Sequence, residues 1–322
     1  MSGVLIRVNS AADPNLRVGV VGVGHIGKNH ARLYAELASA HPEFQFSAIL
    51  DTDAAVAAEI SAATNTKVAS SLEEFSDLVD AASIATPTPH HFDIAKHLIS
   101  KGRHLLIEKP ITETPIQARE LSSLAKSAGV ILQVGHVERF NPALGALEKL
   151  LTRPRFIEAH RLSPYPMRST EIGVVLDLMI HDLEVILHLV RSPVKDIDAV
   201  GVPVLSRGED IANARLRFES GCVANITASR VSPERLRKIR VFQNDAYLSL
   251  DYQAQSGECY RLVDGAIKKE TIEIERDEPL KRQLQSFLES ARQGATPRVT
   301  GDQAAAALAL AVEITQMIAD QG

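Results

Sequence analysis

Cysteine, tryptophan and basic charge are all scarce in this sequence, and each shortage excludes something. The 322 residues include two cysteines and no tryptophan, and aromatic side chains make up 4%. Cys222 and Cys259 are too few and too far apart for a disulfide scaffold or a metal knuckle, so they read as ordinary buried or half-buried thiols. No H-E-x-x-H or comparable ligand spacing occurs, and no metal is expected. Acidic residues outnumber basic ones by 40 to 35, for a formal net charge of -5. No overall basic field therefore draws the chain to nucleic acid or to an anionic membrane. One basic cluster, Arg230, Arg235, Arg237, Lys238 and Arg240, lacks interleaved aromatics; it reads as a solvated or interface face, with contact to a substrate phosphate as the other reading. No apolar run approaches the ~20 residues of a membrane span, and Met1 to Asn15 lacks the basic region, apolar core and cleavage site of a secretory signal. The expectation is a cytoplasmic protein without membrane or nucleic-acid partners.

What is present is globular composition, 45% hydrophobic and 23% charged, over a length that holds two ordinary domains. From Leu16 to about His136, short apolar runs alternate with helical patterns, as in a parallel sheet with crossover helices. Strand candidates end at Val21, Leu50, Ala69, Ala85, Ile107 and Val134. Ser71 with Glu74, and Thr114-Pro115-x-Gln117, mark helix starts. Beyond Val137 come helices near Pro142 to Leu150 and Val175 to Val190. Seven strand candidates follow, from Asp196–Val204 to Thr271–Ile274, with no helix between them, and the chain closes on helices at Leu280–Arg292 and Asp302–Ala319. The expected fold class is α/β: an N-terminal Rossmann domain over 1–136, then a domain over 137–322 with a large, mainly antiparallel open sheet. The terminal helices are free to pack back on the first domain.

The first strand feeds Gly22-Val23-Gly24-His25-Ile26-Gly27, a glycine loop that opens a helix. Gly22 permits a tight turn, Gly24 lets the backbone approach a pyrophosphate, and Gly27 lets the helix pack on the strand; the free N–H groups of that helix end then face the phosphates. Asp51 ends the second strand, where an acid accepts hydrogen bonds from the adenosine ribose and repels a 2′-phosphate, so NAD is expected rather than NADP. The other reading of Asp51 is a turn or helix-start residue. Two further loops directly follow strands and are placed to line a cofactor cleft: Thr86-Pro87-Thr88-Pro89-His90-His91 and Glu108-Lys109-Pro110.

Hydride transfer from a secondary alcohol needs a proton acceptor and a group that steadies the developing alkoxide. Lys109 fits such a role if enclosed beside a cofactor; as a plain strand-end lysine it does not. Asp177 and His181 are spaced i,i+4 on a predicted helix and share one face, either as an acid and an imidazole in a site or as a satisfied buried pair.

Taken in order, the glycine loop with Asp51, the Ala85 to His91 loop, Glu108-Lys109-Pro110 and Asp177-x-x-x-His181-Asp182 resemble the Gfo/Idh/MocA oxidoreductases over nearly the whole chain. That resemblance implies NAD(P)-linked oxidation of sugars or polyols, with Lys109 and His181 handling protons and Asp177 binding substrate. It also implies that Gly22, Gly24, His25, Ile26, Gly27, Asp51, Thr86, Pro87, His91, Glu108 and Lys109 meet the cofactor. A homodimer or homotetramer through the C-terminal sheet is implied as well, and so is a cis Lys109–Pro110 bond. Gly173-Val174-Val175-Leu176 departs from the glycine-rich stretch of many members. The stretches 135–142 and 168–173 are most similar to members acting on nucleotide sugars, the UDP-N-acetylglucosamine 3-dehydrogenases of lipid A precursor synthesis. On that likeness Arg139, Asn141 and Arg168 join Asp177 and His181 at the substrate, and Arg139, Arg161, Arg168 and Arg230 are available for a diphosphate. A free-sugar or inositol dehydrogenase and a non-catalytic dinucleotide-binding regulator are the alternatives.

Overall fold

The computed structural model describes residues 15–165 and 172–321. Six strands, β1 (Leu16–Val21), β2 (Phe44–Leu50), β3 (Lys67–Val68), β4 (Ala81–Ile84), β5 (His104–Glu108) and β6 (Leu132–Gly135), form one sheet in the order 3-2-1-4-5-6. The pairs β1–β2, β1–β4, β2–β3 and β4–β5 are parallel. All of β4 and the last four residues of β1 are buried, as expected of strands covered on both faces. The crossovers are α1 (Gly27–Ala40), α2 (Ala54–Thr64), α3 (Leu72–Leu78), α4 (His91–Ser100) and α5 (Pro115–Ala128). The capping signals act as chemistry suggests at two starts. The Ser71 hydroxyl accepts from the Glu74 amide, and Thr114 exchanges both bonds of a capping box with Gln117.

The second sheet has eight strands: β7 (Pro154–Leu162), β8 (Val194–Val202), β9 (Ile211–Phe218), β10 (Val223–Ser229), β11 (Leu236–Gln243), β12 (Ala246–Asp251), β13 (Ser256–Val263) and β14 (Ala266–Ile272), in the order 14-13-12-11-7-10-9-8. It is antiparallel except where β7 and β10 run parallel. The central β7, unexpected from sequence, mostly alternates buried and half-exposed residues; Arg155, Glu158 and His160 interrupt its apolar run, and Arg161 lies among its buried positions. Helix α6 (Pro142–Leu150), a π-helical turn at Val175–Met179, α7 (Ile180–Val190), α8 (Pro279–Gln293) and α9 (Gly301–Ala319) complete the chain. No helix among the described residues is long and apolar enough to cross a membrane.

By compactness the chain divides into two units. One runs to Ile107 and takes in Leu124–Leu132 and Leu284–Pro297; the other holds Glu108–Ser123, Gln133–Gln283 and the chain from Arg298 onward. Glu108 and Lys109 therefore belong with the second unit.

Candidate active site

In the first unit the three loop glycines meet different surroundings. Gly22 has a φ of 82°, a left-handed conformation that side chains disfavour, and a Cβ there would touch Thr86 at 2.8 Å. A Cβ on Gly27 would lie 1.7 Å from the Gly22 carbonyl oxygen, so α1 packs on the loop only without one. A Cβ on Gly24 would meet nothing within 4 Å, which leaves open space above the backbone where a pyrophosphate would come close. Asp51 accepts from the Val23 amide at 2.6 Å through one oxygen and from the Asp53 amide at 2.9 Å through the other, which fixes the carboxylate beside the loop. Asp53 itself caps α2. His91 is buried, with Nε2 2.8 Å from the Thr86 carbonyl oxygen, and Thr86 Oγ1 is buried without a hydrogen-bond partner among the described residues. Pro87 leads into the short turn before α4, and His25 and Ile26 are exposed on the loop. Open space over Gly24, a fixed acid at the strand end and an unpaired buried hydroxyl suit a bound dinucleotide.

In the second unit the Lys109–Pro110 bond is cis. Lys109 Nζ donates to the Asp177 carbonyl oxygen at 2.7 Å and lies 3.3 Å from Asp177 Oδ1. Both side chains keep some exposure, 19% and 26%. Asp177 lies in the π-helical turn and His181 in the first turn of α7. The His181 ring meets His136 edge to face, with centroids 6.2 Å apart and planes at 83°. Each ring has a buried Nδ1 with no hydrogen-bond partner among the described residues. Burial, then the Lys109 charge, depress both imidazoles: His136 falls to about 3 and His181 well below its ordinary value, so both are neutral at pH 7. His136 is the residue that sequence reasoning left without a role. Its signal was position alone, immediately after β6.

Glu108 lies against the β6 backbone, where a Cβ on Gly135 would meet its Oε1 at 2.4 Å, and it accepts from Gln283 Nε2 at 3.3 Å. The glycine retained at position 173 has a cause in packing. A Cβ there would lie 1.9 Å from Glu209 Oε1, an oxygen that also accepts from the Val175 amide.

Most of the arginines considered for a diphosphate have internal partners. Arg139 is buried, pairs with Glu184 at 2.6 Å and donates to the Arg298 carbonyl. Burial lifts Glu184 to about 7 against the pull of Arg139, and its Oε2 has no partner among the described residues. Arg161 grips Asp182 through two nitrogens, at 2.7 and 3.1 Å, and reaches Glu138 at 3.0 Å. Arg230 is bound to Asp210, to Ser206 and to the Ile172 carbonyl. Asn141 caps α6 and donates to Glu138 and to the Tyr252 carbonyl. Arg168 lies outside the described residues. The structure thus brings Lys109, Asp177 and His181 together and places Arg139 and Asn141 in the packing.

A family model for the Gfo/Idh/MocA oxidoreductases, described as an oxidoreductase family with an NAD-binding Rossmann fold, matches residues 16–136, and the family's C-terminal domain matches residues 148–249. The UDP-N-acetylglucosamine 3-dehydrogenase of Acidithiobacillus ferrooxidans is 35% identical over 281 residues, which covers 85% of this chain and 88% of that protein. This chain belongs to the Gfo/Idh/MocA oxidoreductases. A solved structure of the same Acidithiobacillus enzyme superposes with a TM-score of 0.89 at 33% identity, over 94% of this chain and 98% of that one. The family is broader than nucleotide sugars: the NAD-dependent scyllo-inositol 2-dehydrogenase of Bacillus subtilis is 28% identical over 48% of this chain and 50% of its own length. The six-stranded sheet is therefore the NAD-binding Rossmann domain of a Gfo/Idh/MocA oxidoreductase, followed by that family's C-terminal sheet.

Proposed function

We propose that this oxidoreductase uses NAD to oxidise a ring hydroxyl of a nucleotide sugar to a ketone, as a dehydrogenase of the UDP-N-acetylglucosamine 3-dehydrogenase type. The observation that carries the reading is the Lys109 ammonium held on Asp177, with His181 one turn further along the same chain segment. When bound, NAD supplies the hydride acceptor. Gly22, Gly24, Gly27, Asp51, Thr86 and His91 would hold it, and the Asp51 carboxylate, already anchored by two amides, favours a free ribose over a 2′-phosphate. The neutral His181 imidazole accepts the hydroxyl proton. Of the three N–H donors on Lys109, one goes to the Asp177 carbonyl and one faces its carboxylate, which leaves the third for the alkoxide that develops on the substrate oxygen. The Asp177 carboxylate orients the sugar through a neighbouring hydroxyl.

In this reading residues 1–136 serve the dinucleotide and residues 137–322 serve the substrate and assembly, in a cytoplasmic homodimer or homotetramer. Support for assembly through the second sheet comes from a half-exposed ladder of rings across four strands, Phe156, Phe242, Tyr247 and Tyr260, with successive centroids 5.6, 4.7 and 5.3 Å apart. Mass measured in solution tests it.

One observation favours a free sugar or inositol instead. Arg139, Arg161 and Arg230 are buried and paired, which removes three cations from the account of a diphosphate. A panel of UDP-sugars, free sugars and inositols with NAD, followed at the nicotinamide absorbance, separates the readings. Turnover of UDP-N-acetylglucosamine is expected. Activity confined to free polyols rejects the substrate, and no turnover with any member points to a regulator.

A further inference from the structure

The basic cluster that opens β11 is divided by strand geometry. Successive side chains point to opposite faces, so Arg237, Ile239 and Val241 share one face, while Lys238 and Arg240 share the other. Ile239 and Val241 are buried in the core, and Arg240 reaches across to Glu158 at 3.4 Å. Of the three cations on β11, Arg237 is thus the one on the inward face, and at the strand end it remains 50% exposed.

Its cross-strand neighbour is Arg161 of β7, directly opposite in the antiparallel ladder. Like charges in that position oppose one another. Arg161 is satisfied by its two-point grip on Asp182 and its bond to Glu138, whereas Arg237 is left 3.9 Å from a Glu138 carboxylate already bonded to Arg161 and Asn141. The Arg237 guanidinium makes no hydrogen bond among the described residues. Burial and the Arg161 charge both lower its pKa, as expected where a cation lacks its full complement of anions. The position is also tied to the chemistry: Arg161 holds Asp182, the residue after His181, and the Arg237 charge is felt at His181.

We propose that Arg237 receives a phosphate of the substrate and so distinguishes a sugar bearing a diphosphate from a free sugar. The inference rests on the nucleotide-sugar reading above. A guanidinium presents paired N–H donors that match a phosphate, and a second anion here relieves the repulsion with Arg161. It also answers the difficulty raised by Arg139, Arg161 and Arg230, whose donors are already engaged.

The test uses the full chain with saturating NAD. KM and kcat for UDP-N-acetylglucosamine, and the affinity for UDP by calorimetry, are measured for the unmodified protein, Arg237→Gln, Arg237→Lys and Arg240→Gln. Loss of a charge-assisted phosphate contact should raise KM and weaken UDP binding by roughly 10- to 100-fold in Arg237→Gln, with a smaller change in kcat and NAD binding unchanged. Arg237→Lys should recover part of the loss, and Arg240→Gln, on the opposite face, should match the unmodified protein. Unchanged KM and UDP affinity in Arg237→Gln overturn the assignment while the nucleotide-sugar function stands. UDP binding that depends on Arg237, in a protein that turns over only free polyols, keeps the anion site and sinks the substrate reading. If Arg237→Gln does not fold, Arg237→Lys decides: a loss of UDP affinity supports the proposal, and full affinity contradicts it.

Discussion

The Lys109 ammonium donates to the main-chain carbonyl of Asp177 at 2.7 Å and lies 3.3 Å from the carboxylate of the same residue. The lysine that follows β5 is thereby bound to the turn that leads into His181, and the positive charge it brings is one reason that His181 and its neighbour His136 stay neutral.

Replacing the second and third loop glycines should separate binding from folding. Gly24→Ala adds a methyl group to open space, so unfolding temperature should hold while NAD affinity falls. Gly27→Ala drives a Cβ into the Gly22 carbonyl oxygen, so both should fall. Calorimetric binding and thermal unfolding on the same samples check the pair, and equal behaviour of the two variants contradicts it.

NAD should bind well ahead of NADP, because a 2′-phosphate would be forced against the anchored Asp51 carboxylate. Asp51→Ala should narrow the preference. Equal affinities in the unmodified protein would show that the acid does not meet the ribose.

Arg161 is buried with Asp182 and Glu138, so Arg161→Met strands two buried carboxylates. Removing one partner of such a network costs about 3–5 kcal/mol. Urea unfolding should show a loss on that scale. A variant of normal stability with a raised substrate KM would instead make Arg161 a substrate ligand.

His136 has a folded value of about 3 against an ordinary 6.5. Between those values the unfolded chain binds a proton that the folded chain refuses, so this contribution is fully present above pH 6.5 and is lost as pH falls below it. His136→Phe keeps an edge-on ring and removes the titration. The stability advantage of the unmodified protein over the variant should shrink as pH falls from 6.5 towards 3, and an advantage that does not vary with pH contradicts the burial of a neutral imidazole.

Much of this was legible in the sequence. Expected strand ends at Val21 and Leu50 coincide with the ends of β1 and β2, and α6 spans the expected Pro142–Leu150. Continuous apolar runs and local caps carry such information without help from tertiary contacts. Three features did not show. Arg155, Glu158, His160 and Arg161, spread over both faces of the strand, hid β7. The hairpin of β13 and β14 is mostly solvated and has little apolar alternation, so the expected strands at Tyr260–Leu262 and Thr271–Ile274 missed its extent. The Val175–Val190 helix opens as a π-helical turn, which shifts Asp177 from the α-helical face assumed for it; Glu209, which accepts from the Val175 amide at the start of that turn, lies 34 residues further along the chain. At the site, Lys109, Asp177 and His181 stood out by residue type and spacing. The partners of Arg139, Arg161 and Arg230 lie from 20 to 159 residues away and could only be read from the fold.

Turnover and NAD binding measured side by side for Lys109→Met and His181→Ala, with UDP-N-acetylglucosamine as substrate, test the central claim most directly. Proton transfer and charge stabilisation by positioned groups are worth roughly 10²-fold or more, so each variant should lose at least that much in kcat while NAD affinity is retained. Near-normal turnover in either variant would contradict the assignment of that residue to the chemistry.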